Sequence, residues 1–276
     1  MSSAAELSLG VIGLGRLAQA LVQPLLEAGE LTPAQLQACV ASAASAAQLA
    51  ERFGIAVGLD PRPALGADFL LLAIKPQQLD AFLSQVAPLG PPAPRAHGGP
   101  PLLISVLAGV RLERLQASFP GWRVVRAVPN TPALVRQGLV GLAYGEAVGP
   151  SQRQQVQRWF GQVGEVFELP ESQLDGFLAL TSSGPAFAAL VVEALADGAV
   201  AAGLPRALAT PLARKMLSGS MALMEQQGLH PGQLKDMVSS PGGTTIAGLR
   251  VLEQAGLRSA LIEAVLSASE RSRALG

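Results

Sequence analysis

The chain has 276 residues and a single cysteine, Cys39, so neither a disulfide framework nor a thiolate metal site can be built from it. Histidine is nearly as scarce: His97 and His230 stand far apart without ligand spacing, and no metal is expected. Charged residues make up only 14%, and 20 Lys+Arg cancel 20 Asp+Glu. A chain without a cationic surplus has nothing to track a nucleic-acid backbone. A secretory leader is not expected, because Glu6 interrupts the start and the apolar residues that follow run into a glycine turn. The uncharged stretch 177–192 falls short of the ~20 apolar residues a membrane span needs, and Thr181-Ser182-Ser183-Gly184-Pro185 breaks it. The expectation is a soluble, cytoplasmic protein that binds neither nucleic acid nor membrane. What is abundant is apolar, at 49% of residues. With so little charge, part of that surface is expected to be covered by a second subunit.

The first half alternates short apolar runs with helical segments. Strands are predicted over 7–13, 36–42, 55–57, 69–74, 102–106, 123–128, 139–143 and 165–169, and helices over 17–28, 43–53, 77–86 and 112–119. Runs such as Phe69-Leu70-Leu71-Leu72-Ala73-Ile74 are apolar on both faces, as strands of a helix-covered parallel sheet are. The pattern is βαβ, hence an α/β, doubly wound sheet. Residues 88–101 hold six prolines and three glycines and read as an irregular surface loop. Past Leu169 strand signals vanish. A helix opening at Pro185 and running to Gly203 is apolar nearly all round, so it must be buried, and a partner copy is the expected source of cover. Further helices are predicted from Pro205 to about Gln227, after Pro241-Gly242-Gly243, and at the end. The boundary falls near 168, giving a dinucleotide-binding domain (1–168) and an all-α domain (169–276).

Ile12-Gly13-Leu14-Gly15-Arg16-Leu17-Ala18 follows an apolar strand and opens a helix. Gly13 permits the tight turn, Gly15 lets backbone approach a pyrophosphate, and Ala18 allows close helix–strand packing. The helix N-terminus offers free N–H groups to phosphate. The acid that usually holds the NAD ribose is missing after the second strand, where Ser42-Ala43-Ala44-Ser45 stands. That favours NADPH, with NADH as the alternative, since no arginine stands there and Asp60 is expected nearby. Ala73, Ile74, Lys75 and Pro76 end the fourth strand, and Val106, Leu107 and Ala108 follow the fifth, both at the crevice-lining edge of the sheet. Lys75 reads equally as an ordinary surface cation.

A second turn, Ser239-Ser240-Pro241-Gly242-Gly243-Thr244-Thr245, precedes another helix. It reads either as a carboxylate site or as simple capping by Ser and Thr. Carbonyl reduction wants a strong general acid, and no histidine lies near a dinucleotide loop. A protonated imine is already an electrophile, so positioning and a threonine hydroxyl suffice.

Together these residues resemble the pyrroline-5-carboxylate reductase family across nearly the whole chain. The resemblance rests on Ile12-Gly13-x-Gly15, on Ala73-Ile74-Lys75-Pro76-Gln77, and on Arg126-Ala127-Val128-Pro129-Asn130-Thr131-Pro132-Ala133. It continues through Ser183-Gly184-Pro185-Ala186 and, most specifically, residues 234–249. It implies an N-terminal Rossmann domain, a C-terminal helical domain forming a homodimer or a larger homo-oligomer, and hydride transfer from NADPH or NADH to 1-pyrroline-5-carboxylate, a cyclic imine acid, giving L-proline. It further implies that Gly243, Thr244 and Thr245 hold the carboxylate, that Thr245 is catalytic at the imine nitrogen, and that Val238 offers its carbonyl there. Gly13, Leu14, Gly15, Arg16, Leu17, Ala18, Ser42, Asp60, Ala73, Ile74, Lys75, Pro76, Val106, Leu107 and Ala108 would contact the cofactor. Departures from the family pattern are Arg16-Leu17, Ser182, Phe187, Val128, Met237 and Asp60. Two other readings stay open: a hydroxyacid dehydrogenase using Lys215, and a non-catalytic dinucleotide-binding regulator.

Overall fold

The computed structural model describes residues 7–90 and 99–274. Most of the proline-rich loop, and His97 with it, lies outside the described residues. Contacts divide the chain into two compact units, Ser183–Ala268 and the remainder.

The first unit runs β1 (Leu9–Ile12), α1 (Arg16–Glu27), β2 (Leu36–Cys39), α2 (Ala43–Phe53), β3 (Ala56–Gly58), α3 (Arg62–Leu65), β4 (Phe69–Leu72), α4 (Leu79–Val86), β5 (Leu102–Ser105), α5 (Leu112–Ser118), β6 (Arg123–Val128), β7 (Gly138–Tyr144), α6 (Pro150–Phe160), β8 (Gly164–Glu168) and α7 (Leu174–Thr181). All eight expected strands form, in one sheet of order β3-β2-β1-β4-β5-β6-β7-β8. Residues alternate between its faces with the period of two that strand geometry demands. Phe69 and Leu71 enter the core layer with Ala18, Leu21 and Val22 of α1, whereas Leu70 and Leu72 enter the opposite layer with Leu79 and Phe82 of α4. This double burial explains the unbroken apolar runs.

One pairing departs from an all-parallel sheet: β6 and β7 run antiparallel, with Ala127 opposite Leu142. Residues 129–137 hold only a short 3-10 turn, Thr131–Val135. That is too short for the dozen or more residues of a parallel crossover. The helix α6 then restores a parallel return, β7 to β8. Its sequence is polar, and only Val156, Trp159 and Phe160 are buried, so it carries little apolar periodicity. Trp159 meets Phe69 edge-on, with centroids 4.7 Å apart.

The division between units falls after Ser182, beyond the boundary expected near 168, because α7 packs on the sheet. Leu174, Phe177 and Leu178 join Val128 and Ala143. A polar cluster ties this region together. Arg126, 1% exposed, reaches Glu171 at 3.2 Å and Asp175 at 3.5 Å, and the Ser272 hydroxyl donates to Asp175 at 2.7 Å.

The second unit contains α8 (Gly184–Ala201), α9 (Arg206–Gln227), α10 (Pro231–Met237), α11 (Thr244–Gln254) and most of α12 (Leu257–Arg273). Of α8 only Ala196 is buried, against Ala209 and Ala213 of α9. Leu190 is 65% exposed. The helix that composition says must be buried is therefore bare within one chain. Residues 171–201 are long and apolar enough to cross a membrane by length and composition alone.

Candidate functional site

The glycine turn closes as its residue types require. Gly13 has φ +88°, and a Cβ there would stand 2.9 Å from the carbonyl oxygen of Ala73, so the position needs glycine both for its dihedral and for its space. Gly15 is different. Its backbone is extended and is the N-cap of α1, and no atom lies within 4 Å of where its Cβ would point. No side chain caps α1, so its first-turn N–H groups face an open cradle that a Cβ at Gly15 would fill. This geometry fits a dinucleotide pyrophosphate.

The turn opens into a cleft of about 830 Å³. Gly13, Leu14, Gly15, Arg16, Ala73, Ile74 and Lys75 all line it, so Lys75 sits at the cleft rather than as a remote surface charge. Arg16, Arg52 and Lys75 supply three cations, and none of the lining residues is a carboxylate, which suits an anionic ligand. The remaining expected contacts stand elsewhere. Ala18 is buried in helix–strand packing, as a small third residue should be. Leu17 is half-buried and Pro76 begins a 3-10 turn. Leu107 is buried in the sheet's second core layer, and Val106 donates its N–H to Leu72 at 3.1 Å; neither lines the cleft, nor does Ala108. Ser42 caps α2, its hydroxyl accepting from the Ser45 N–H at 3.2 Å, and Ser45 takes its place on the cleft wall.

Cleft residues that the sequence reading passed over sit on helix faces. Ser45, Gln48 and Arg52 recur along α2, and Gln78, Ala81, Phe82 and Gln85 along α4. Both sets follow helical spacing, a signal present in the sequence. Arg52 is held by α1, donating to Gln19 at 2.9 Å and Gln23 at 3.3 Å. Arg16 also faces an adjoining recess lined by Arg52 and Arg136. Cys39 lines the cleft as well, and burial first, then the negative charge of Asp60, pushes its thiol above the usual range. Asp60 itself is exposed and outside the lining. Its carboxyl is held below the usual range by hydrogen bonds from Arg62.

At the loop after β6, Asn130 is buried and bridges three segments. Its amide donates to the Thr181 carbonyl at 3.0 Å and its oxygen accepts from the Leu139 N–H at 2.9 Å. The Ser182 hydroxyl donates to the Pro129 carbonyl at 3.3 Å, which gives the unusual serine a structural partner.

In the second unit, Gly242 turns with φ +68°, and Gly243 is the N-cap of α11. No side chain caps this helix. The capping alternative therefore fails: Thr244 and Thr245 lie inside the first turn, and the N–H groups there are left for another acceptor. The turn is closed by the Gly243 N–H, which donates to the Ser240 carbonyl at 3.0 Å, and a Cβ at Gly243 would stand 3.1 Å from that carbonyl oxygen. A cavity of about 550 Å³ beside it is lined by Gly242 and Gly243 together with Lys235, Ser239 and Arg250 among others. Val238, Thr244 and Thr245 do not line that cavity; Val238 is exposed and Thr245 half-buried. Lys215 on α9 is exposed and lines neither cavity.

Comparison with known proteins agrees with this arrangement. Residues 171–275 match the family model for pyrroline-5-carboxylate reductase dimerisation, and residues 8–109 match one described as NADP oxidoreductase, coenzyme F420-dependent. The pyrroline-5-carboxylate reductase of Synechocystis sp. is 42% identical over 98% of this chain and 99% of its own. The solved enzyme from Coxiella burnetii is 30% identical, with a TM-score of 0.86 and 98% of both chains covered. That from Plasmodium falciparum, solved with NADP bound, is 27% identical with a TM-score of 0.85, again covering 98% of both chains. With a nearly full-length relative at that identity, an α/β dinucleotide-type unit and the family's dimerisation helices, the chain belongs to the pyrroline-5-carboxylate reductase family.

Proposed function

We propose that this chain reduces the C=N bond of 1-pyrroline-5-carboxylate to give L-proline, with NADPH as reductant. The observation that carries the reading is the uncapped helix start at 242–245, a ready carboxylate site, in a chain 42% identical to a named reductase of this acid. Gly13, Leu14, Gly15 and the α1 N–H groups hold the pyrophosphate, while Arg16 and Lys75 add positive charge on the cleft wall. NADPH, when bound, supplies a hydride to the imine carbon.

The chain's own residues do the rest. The N–H groups of Thr244 and Thr245 fix the carboxylate and thereby orient the ring, whereas the Gly243 N–H, expected to join them, already donates to the Ser240 carbonyl at 3.0 Å and serves to close the turn. The Thr245 hydroxyl holds the proton at the ring nitrogen, and the Val238 carbonyl accepts from the N–H as the nitrogen becomes an amine. No histidine is needed, because the electrophile is already cationic. In this reading the sheet unit is the dinucleotide-binding domain and the helical unit beginning at Ser183 is the substrate domain. The bare face of α8 is covered by a second copy, so the apolar residues 184–201 are a homodimer surface, while α7 before them is covered by the sheet of its own chain. The break at Ser182-Ser183 and the dimerisation match over 171–275 support this. The enzyme works in the cytoplasm.

The test is turnover of 1-pyrroline-5-carboxylate by the purified full chain with NADPH and with NADH. Proline formation with NADPH is expected. Absence of cofactor oxidation with either nicotinamide would overturn the reading.

A further inference from the structure

Asp60 follows β3, the edge strand beside β2, and a carboxylate reaching a ribose at the end of these strands would repel a 2′-phosphate. Strands β2 and β3 end together. Cys39 pairs with Gly58, and the Val40 N–H donates to the Gly58 carbonyl at 2.9 Å. Cys39 and Leu59 line the cleft, joined by the Cys39 thiol donating to the Leu59 carbonyl at 3.4 Å, and Asp60 is the next residue. Its negative charge, after burial, contributes to the raised Cys39 thiol.

The acid is not free. The Arg62 Nε donates to both carboxylate oxygens, at 3.0 and 2.7 Å, and Nη2 lies 2.6 Å from Oδ2. The Arg62 backbone N–H donates to Oδ1 at 3.0 Å as well. A guanidinium has five donors in a fixed fork, so one edge on Asp60 leaves the Nη1 edge available. The Arg62 side chain is 71% exposed, so that edge is open to solvent. Its backbone, by contrast, is seated. Pro61 is buried, and Ala64 packs so closely on β1 that a Cβ on Gly10 would stand 2.0 Å from its carbonyl oxygen. Ser42 and Ser45, which follow β2, are bonded to each other and neutral. Arg52 is bound to Gln19 and Gln23 of α1.

We propose that Arg62, oriented by Asp60, receives the 2′-phosphate of NADPH and sets the preference for NADPH over NADH. Asp60 acts as a positioning residue: it neutralises its own repulsion by holding the cation that binds the phosphate. The proposal rests on the reductase reading above for its cofactor, and it adds a residue that neither the glycine turn nor the second-strand serines supply.

The experiment is calorimetric titration of the full chain with NADPH, NADH, 2′,5′-ADP and 5′-AMP, for wild type, Arg62→Met, Arg62→Lys and Arg52→Met. Loss of charge-assisted hydrogen bonds predicts that Arg62→Met weakens NADPH and 2′,5′-ADP by roughly 10- to 100-fold. NADH and 5′-AMP should stay within about twofold, and Arg62→Lys should recover part of the loss, since a point cation replaces a fork. Equal weakening of both dinucleotides, no weakening in Arg62→Met, or a selective loss in Arg52→Met alone would each overturn the assignment. Wild-type protein binding neither dinucleotide would overturn the reductase reading itself, so the two failures are distinguishable.

Discussion

Gly13→Ala and Gly15→Val should fail in opposite ways, although both positions belong to one turn. At Gly13 an alanine must hold φ +88°, which costs about 1–2 kcal/mol for an L residue. Its methyl would also meet the Ala73 carbonyl oxygen at 2.9 Å and the Ile74 side chain at 3.0 Å, and overpacking of that kind costs about 1–3 kcal/mol. The sum, about 2–5 kcal/mol, lowers Tm by roughly 4–20 °C at about 2–4 °C per kcal/mol for a domain of this size. At Gly15 the backbone is extended and a Cβ meets nothing, so valine should leave Tm within about 2 °C. Its branches would occupy the cradle instead. Displacing two charge-assisted hydrogen bonds to a pyrophosphate, at about 1.5–3 kcal/mol each, weakens NADPH binding at least about 100-fold. Scanning calorimetry and NADPH titration of both variants decide the matter. A Gly15→Val protein that melts far below wild type, or binds NADPH as wild type does, would refute the open-cradle argument.

Thr245→Ala should lower kcat by roughly 100-fold or more while leaving the KM for NADPH within about threefold, because the hydroxyl acts on the imine nitrogen; steady-state kinetics with each substrate varied would show it, and equal loss in both parameters would contradict the role. Leu190→Glu should convert the oligomer to monomer in sedimentation velocity, since a carboxylate buried in an apolar interface costs several kcal/mol; an unchanged sedimentation coefficient would remove α8 from the interface. Arg126→Met should destabilise by about 3–5 kcal/mol, because Asp175 would lose its buried cation. A Tm within about 2 °C of wild type would refute that cluster's importance.

Much of the fold was legible because burial leaves a mark on composition. The runs at 69–72 and 102–104 are apolar without interruption, and the structure puts each between two helix layers. Helix starts were legible where proline stood, as at Pro185. The helix α6 was not, since it buries only three side chains on an otherwise polar sequence. The antiparallel β7 follows from the length of the 129–137 connection, which is visible in the sequence, but its consequence depends on which strand it must return beside.

The site divides along the same line. The two glycine turns are written in the chain itself, because Gly13 and Gly242 are needed for positive φ that other residues avoid. So is the need of α8 for a partner, since no face of it is polar enough for water. Tertiary structure alone decided what surrounds those turns. Ser45, Gln48 and Arg52 became cleft wall only when α2 lay beside α1. The physical reason is that backbone conformation is a property of a few neighbouring residues. The charge and shape of a pocket belong to residues that only packing brings together.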